Sequence, residues 1–434
     1  MTNRTRNHSG YRYIRTAGGI SEYQLNKNGL SVLVMPDHSS PTVTLMVTYR
    51  VGSRNESTGN TGSTHILEHL MFKGSKKFNK KTKRNVWSLE NLGARMNATT
   101  WLDRTNYYET VPIEHLDIAM QIEADRMRNA ILRDEDLKTE MTVVRNEFER
   151  GENDPQELLD KEIWAAAFTA HPYHHSTIGW KSDIENANIS ALQKFYDTFY
   201  RPNNATVTVI GDIDAEKTLS RIKKYFGAHS KSKNPIPEMH TKEPAQSGHR
   251  RVTVVRANEP NTVGIAWKIP GALHKDTHAL QVLSTFLASG KSSIFYRKLV
   301  DHGFATNIRV SAFPTRDSGL FTVYVSLAPG IEHAEVEKLI IETFKDLKKS
   351  VDEAGMGRAK KLLEAEVAFA RDGSFAVASY INEAIALGDW KFFADFMGKV
   401  DKVTDKDVMR ILQKYFVADQ STTGYYIVTN NYEK

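Results

Sequence analysis

The sequence predicts an α+β protein made of two homologous α/β-sandwich domains related by internal duplication. Three observations predict it. Strand-like and helix-like patterns alternate along the chain, one proline-rich stretch almost without aliphatic residues divides it, and two segments of the first half recur in the second at nearly one offset.

The elements follow in order. Residues 43–51 (VTLMVTYRV) alternate apolar and polar, the period of a strand. Residues 113–130 (IEHLDIAMQIEADRMRNA) carry apolar positions at helical spacing. A second strand, Ala205–Ile210, follows the turn Arg201-Pro202-Asn203-Asn204. The segment 227–251 holds Pro235, Pro237 and Pro244 and reads as a linker. PTVTLMVTYRVG at 41–52 resembles PNTVGIAWKIPG at 260–271. SALQKFYDTFYRPNNATVTVIG at 190–211 resembles KDVMRILQKYFVADQSTTGYYI at 406–427, with nearly the same displacement and the order kept. These matches place one domain at 20–226, the linker at 227–251 and a second domain at 252–430.

Composition narrows the function classes. The chain has 434 residues, 40 % of them hydrophobic and 25 % charged, which argues against wholesale disorder. No apolar run approaches the roughly 20 residues of a membrane-spanning helix, so no membrane anchor is expected. The N-terminus MTNRTRNHSGYRYIRT lacks an apolar core behind its basic residues and reads as neither secretory signal nor anchor. That leaves a cytoplasmic location, or a periplasmic one where a leader has been removed. Cysteine is absent, which excludes disulfides, thiolate nucleophiles and Cys-ligated metal. With 58 basic and 52 acidic residues the net charge is +6, mild for this length. The basic run Phe72–Asn85 has no aromatic stacking pattern beside it and reads as a solvated loop, so no nucleic-acid partner is expected. The histidines of HPYHH, 171–175, read as a packed loop.

The sharpest chemical signal is His65-Ile66-Leu67-Glu68-His69. On a helix, positions i and i+4 share a face, so both imidazoles reach one metal ion. Glu68 lies on the same face, beside where a metal would hold water. This is the zinc-hydrolase H-E-x-x-H pattern in reverse. Thr61, Ser63 and Thr64 offer N-caps, Ile66, Leu67 and Leu70 offer a packing face, and Gly74 a helix end. A catalytic zinc needs a third protein ligand. The stretch EMTVVRNEFER, 140–150, supplies Glu140 and Glu147 on one helical face, one to ligate and one to support, with Val143 and Val144 marking a partly buried helix.

These residues resemble the M16 (pitrilysin-like) zinc peptidases, of the M16B type. H-x-x-E-H is followed well downstream by Glu147, with Glu140 two helical turns before it. VGSRNE at 51–56, EHLMFKGS at 68–75, NATTWLDRTNYYE at 97–109, HPY at 171–173 and YRPNNATVTVIGD at 200–212 extend the resemblance over roughly residues 20–430. The resemblance implies Zn2+ held by His65, His69 and Glu147. It implies Glu68 as general base, and it matches Glu140 to the family's second glutamate. The implied activity is endopeptidase cleavage of peptides or unfolded polypeptides inside a closed chamber. By the same resemblance the strand edge GARMNATT, 93–100, pairs with substrate backbone nearest Asn97 and Ala98, and Phe72 matches an aromatic near the metal. Glu157 and Asp160 are candidates for negative charge near the cleft.

The second half departs from this pattern. The displacement that relates 190–211 to 406–427 places Gln281, Ser284 and Thr285 where the metal motif stood, so the second domain is expected to be inactive. Many family members carry an Arg and a Tyr, seven apart, that reach the substrate from the second domain. The matching stretch here, SSIFYRKLVDHGFAT (292–306), has Val300 or Leu299 at the Arg position and Thr306 at the Tyr position. The family's chamber needs four such domains and this chain offers two. A dimer is therefore expected, and a heterodimer with a subunit carrying the Arg/Tyr pair before a homodimer. The alternative is a non-catalytic scaffold subunit of a larger complex, against which the intact metal motif stands.

Overall fold

The computed structural model describes residues 8–82, 86–257, 260–349, 351 and 353–429. Residues 1–7 of the N-terminal stretch, the end of the lysine-rich run, 83–85, and residues 258–259, 350, 352 and 430 of the expected second domain lie outside them. A first sheet carries β1 (Tyr11–Ala17), β2 (Ile20–Leu25), β3 (Ser31–Pro36), β4 (Thr42–Tyr49), β5 (Arg95–Thr100), β6 (Thr105–Pro112) and β7 (Ala205–Gly211). A second carries β8 (Arg250–Arg256), β9 (Thr262–Ile269), β10 (Ala305–Ala312), β11 (Gly319–Leu327) and β12 (Ser421–Val428). The helices of the first half are α1 (Ser63–Leu70), α2 (Leu116–Asn129), α3 (Asp134–Asn153), α4 (Pro155–Ala167), α5 (Lys181–Glu185), α6 (Ile189–Phe199) and α7 (Ala215–Phe226). Those of the second are α8 (Thr277–Ala288), α9 (His333–Leu347), α10 (Glu353–Phe369), α11 (Ser374–Ala386), α12 (Lys391–Val400) and α13 (Asp405–Tyr415). No helix among the described residues is long and apolar enough to cross a membrane.

The duplication is visible in the strand order. The first sheet runs β1-β2-β3-β7-β4-β6-β5 and the second, from its other end, β8-β12-β9-β11-β10. Setting aside β1 and β2, the two orders correspond strand for strand. Each has one parallel pair, β3 with β7 and β8 with β12, and antiparallel pairs elsewhere.

The compact units do not follow the expected boundaries. One comprises 1–145, 177–240 and 370–394, the other 146–176, 241–369 and 395–434. The sheet of the first unit also begins before residue 20, at β1. α4 and α11 occupy corresponding places in the two repeats, since Ser374 follows Pro155 by the displacement that relates 41–52 to 260–271. Yet α4 packs on β8, β9 and β12, and α11 on β4, β6 and β7. The two repeats have exchanged these helices.

Side-chain size specifies the exchange. Asp154 caps α4, accepting the N–H groups of Gln156 and Glu157 at 2.8 and 2.9 Å, and Pro155 takes the first helical position. Ile163 of α4 sits over Gly264 and Gly424, which face each other across β9 and β12. A Cβ on Gly264 would stand 2.5 Å from Ile163 Cδ1 and 2.7 Å from the Tyr324 ring, so any larger residue would have to displace these side chains. On β4 the threonines receive α11. Thr44 Oγ1 lies 2.9 Å from Ser374 Oγ, and Thr48 donates to Asn382 Oδ1 at 2.7 Å. The alternation at 43–51 predicts one solvated face, whereas both faces of β4 are buried, because α11 covers the threonine side.

Each unit has its own core. In the first, Leu45, Val47, Tyr107, Val207 and Val209 pack with Met120 and Ile122 of α2. Arg126 is buried there. It donates to Glu109 Oε1 at 3.0 Å, pairs with Glu123, and lies over the rings of Tyr107 and Phe72 at 4.4 and 5.1 Å. Burial, and then Glu123, push the Glu109 carboxyl well above the usual carboxylate range. In the second, Trp267 of β9 packs against Phe344 and Phe416 at ring distances of 4.8 and 5.3 Å.

The segment 227–251 contains no helix or strand before β8 begins at Arg250. Its Glu243 is nevertheless tied down. The carboxylate accepts the N–H groups of Thr169, Ala170 and His171 at 2.9–3.1 Å and pairs with Lys268 at 2.9 Å. Burial raises this carboxyl, but Lys268 and the three amides outweigh it and hold it at about 2. A depressed folded pKa contributes stability that is present above the unfolded value of about 4.5 and lost as pH falls toward 2. We expect Glu243→Ala to lower stability by about 2 kcal/mol at pH 7 in urea titrations. The gap to wild type should narrow as pH falls from 5 toward 2, and a gap independent of pH would contradict this account.

Candidate metal centre

α1 is two turns long, and its burial pattern separates its two faces. Ser63, Thr64, Ile66, Leu67 and Leu70 are buried, whereas His65, Glu68 and His69 are only partly so. The apolar residues thus dock the helix and leave the motif on its open face. The helix stops at Leu70 rather than running to Gly74, and the residue at its N-cap is Gly62, not Thr61, Ser63 or Thr64.

His65 Nε2 and His69 Nε2 lie 3.3 Å apart. Two nitrogens held at 2.0–2.1 Å from one tetrahedral zinc stand about 3.3–3.4 Å apart, so the spacing suits that ion. Ligand atoms of His65, His69 and Glu147 all lie within 4.8 Å of one another. Among the described residues no other group of three His, Asp or Glu side chains converges in this way. Two imidazoles and a carboxylate form the donor set of a hydrolytic zinc site with one position left for water, so these residues fit the ion.

Glu147 and Glu140 both come from α3. Glu140 is buried, and its Oε2 lies 3.1 Å from His69 Nδ1 while its Oε1 pairs with Lys73. With the carboxylate accepting, His69 Nδ1 carries the proton and Nε2 keeps its lone pair toward His65 and Glu147. Between them Val144 is fully buried but Val143 is 42 % exposed, so only one of the two expected valines packs. Burial, and then the neighbouring His69, push His65 down to about 3. The ring is neutral at pH 7, the form in which imidazole binds a metal.

Glu68 accepts the hydroxyl of Thr100, the last residue of β5, at 2.5 Å. β5 is the edge strand of its sheet and pairs with β6. Asn97 is exposed and Ala98 buried, and Asn97 Oδ1 accepts the Ala98 N–H at 2.9 Å. Phe72 is half-buried, stacks on Trp87 at 5.3 Å and packs on the core beside Tyr107 and Arg126. Trp87 and Trp101 are exposed.

Other candidates fall elsewhere. Asp160 accepts the Tyr324 hydroxyl at 2.6 Å in the second unit, where burial pushes its carboxyl up, so it is not an open cleft charge. Glu157 is exposed on α4. In HPYHH, His171 pairs with Asp317 at 3.1 Å, and His174 Nδ1 and His175 Nδ1 lie within hydrogen-bond distance of the His171 and Ser176 carbonyls, as a packed loop requires. On α8, Gln281 donates to the Ala312 carbonyl and Ser284 to that of Gln281. Leu299 is fully buried, and the Thr306 hydroxyl is turned to the Ser326 carbonyl. Sequence reasoning missed Thr100, although it lies inside the quoted GARMNATT. It also missed Lys73, whose role needs the three-dimensional approach of α3.

A duplicated α/β fold whose first sequence repeat brings His65, His69 and Glu147 together is of the metallopeptidase type. Residues 31–181 match the family model described as insulinase (peptidase family M16), and residues 186–363 match that of the peptidase M16 inactive domain. The chain is 30 % identical over 415 residues to the zinc protease PqqE of Helicobacter pylori, covering 92 % of this chain and 91 % of that protein. It is 25 % identical to a probable mitochondrial-processing peptidase subunit beta of Arabidopsis thaliana, over 89 % of this chain and 75 % of that one. The crystal structure of a protease from Helicobacter pylori superposes with a TM-score of 0.88 at 28 % identity, covering 97 % of this chain and all of that one. The chain belongs to the M16 family of zinc peptidases.

Loss of the acceptor on His69 Nδ1 should weaken metal binding. We expect Glu140→Ala to lower zinc affinity about 10- to 100-fold in competition with a chromogenic chelator. Unchanged affinity would show that Glu140 does not orient His69.

Proposed function

We propose that this chain is the metal-bearing subunit of a zinc-dependent endopeptidase that cleaves peptides or unfolded polypeptides. The convergence of His65, His69 and Glu147 beside Glu68 carries the reading. The zinc proteases among its relatives support it.

His65, His69 and Glu147 would hold the ion. When bound, zinc polarises the scissile carbonyl and lowers the pKa of water to about 7. Glu68 takes the proton of the attacking water and passes it to the leaving amine. Thr100 holds the Glu68 carboxylate to one rotamer through its hydroxyl. The open edge of β5 at Asn97 and Ala98 takes the substrate as an added strand, which gives affinity through main-chain hydrogen bonds with little sequence reading. For that pairing Asn97 must release the Ala98 N–H. Phe72, with Trp87 stacked on it, offers an apolar wall for a substrate side chain.

Glu68→Gln should reduce cleavage of an unfolded substrate by at least about 100-fold. A chelator should do the same to wild type, while the variant still binds one zinc per chain. Normal cleavage by Glu68→Gln would remove it as the base, and a chain without zinc would favour the scaffold role.

The second domain bears on the partner. By the resemblance to the family, Val300 or Leu299 stands at the Arg position of the Arg/Tyr pair and Thr306 at the Tyr position, and Leu299 is fully buried. We read the active form as a dimer, with an M16 subunit that supplies that pair. Two relatives named as subunit beta of a processing peptidase support this. The purified chain should sediment alone with little peptidase activity and gain it with the partner. Full zinc-dependent activity as a monomer would overturn the requirement.

A further inference from the structure

We propose that Glu56 is a positioning residue for the metal helix: its buried carboxylate caps α1 from outside and sets where His65 and His69 stand. The proposal rests on the metal-site reading above. Glu56 is 6 % exposed and lies in the chain before α1 begins at Ser63. Its Oε2 accepts the Gly62 N–H at 2.8 Å, and its Oε1 accepts the Thr64 N–H at 2.7 Å.

The first N–H groups of a helix have no partner within it and need acceptors, which a capping side chain normally provides. α1 has no such side chain, because its N-cap is Gly62 at φ +83°. A Cβ there would stand 2.4 Å from the Ile178 carbonyl oxygen, so no capping residue fits. Glu56 supplies the acceptors instead, and Asn60 O accepts the Ser63 N–H at 3.4 Å. In either protonation state the carboxyl offers one oxygen to each N–H, and burial pushes its pKa up to about 8.

The connecting loop is fixed from its other side. Asp183 Oδ2 accepts the N–H groups of Gly59 and Thr61 at 3.1 and 3.0 Å and the Thr61 hydroxyl at 2.8 Å. The Thr61 hydroxyl accepts the Trp180 N–H at 2.9 Å. A Cβ on Gly179 would stand 2.5 Å from the Gly62 nitrogen. Glu56 therefore transmits a rigid anchor to the first turn of α1. That turn contains His65, next in the chain after the Thr64 amide that Glu56 holds. A helix this short is marginal by itself, so losing its cap frays the turn that carries the ligand.

The test compares the full chain with Glu56→Ala and Glu56→Gln. Amide hydrogen exchange is followed in the metal-free proteins, and zinc affinity and the cobalt absorption spectrum in the loaded ones, well below the melting temperature. We expect exchange at residues 62–66 to quicken at least tenfold in Glu56→Ala, with zinc affinity falling about 10- to 100-fold and the cobalt bands shifting. Glu56→Gln, which keeps one acceptor, should fall between and serves where the alanine variant does not fold. A variant that melts earlier yet keeps wild-type exchange at 62–66, zinc affinity and cobalt spectrum would overturn the proposal. A wild type that takes up neither zinc nor cobalt would instead overturn the metal reading, and the positioning role with it.

Discussion

Two imidazoles one helical turn apart reach one ion only while their helix stays whole and its other faces stay buried. In α1 that condition is met within two turns. Ile66, Leu67 and Leu70 fill the core side, and the motif residues alone keep contact with the open face. The arrangement leaves little local propensity to hold the helix, so its position comes from tertiary contacts. Burial then makes His65 neutral at working pH, and the Glu140 carboxylate fixes the tautomer of His69. Docking, desolvation and hydrogen bonding all act on the same two rings.

The second constraint is the exchange of α4 and α11. Each repeat builds a sheet that, left alone, exposes one face. In the first unit that face carries Thr44 and Thr48, and α11 meets them with Ser374 and Asn382. In the second it is pared down to Gly264 and Gly424, and α4 fills the gap with Ile163. The two solutions differ, one polar and one steric, so the two helices are not interchangeable. α3, which carries Glu140 and Glu147, is followed in the chain directly by α4.

Duplication followed by divergence also explains why only one half has the cluster. The second sheet repeats the order of the first, yet α8 presents Gln281 and Ser284, whose side chains bond backbone carbonyls. A fold preserved without its chemistry is what the match of residues 186–363 to the inactive-domain model describes.

Much of this is legible in the residues. The strands at 43–51 and 205–210, the helix at 113–130, the repeat and the i, i+4 imidazoles follow from periodicity, which is local and needs no third dimension. The approach of Glu147 rests on resemblance, because the long chain between it and His69 carries no spacing rule. Other features are not legible for the same reason. Glu56 caps a helix to which it does not belong, Lys73 meets a Glu140 that lies far along the chain, and a threonine face that reads as solvated is buried. The sequence by itself determined the elements, the duplication and the residue types of the candidate metal cluster, since these depend on side-chain pattern along one segment. Only the tertiary structure decided which repeat covers which sheet and which carboxylate faces which imidazole, because those depend on packing between segments distant along the chain.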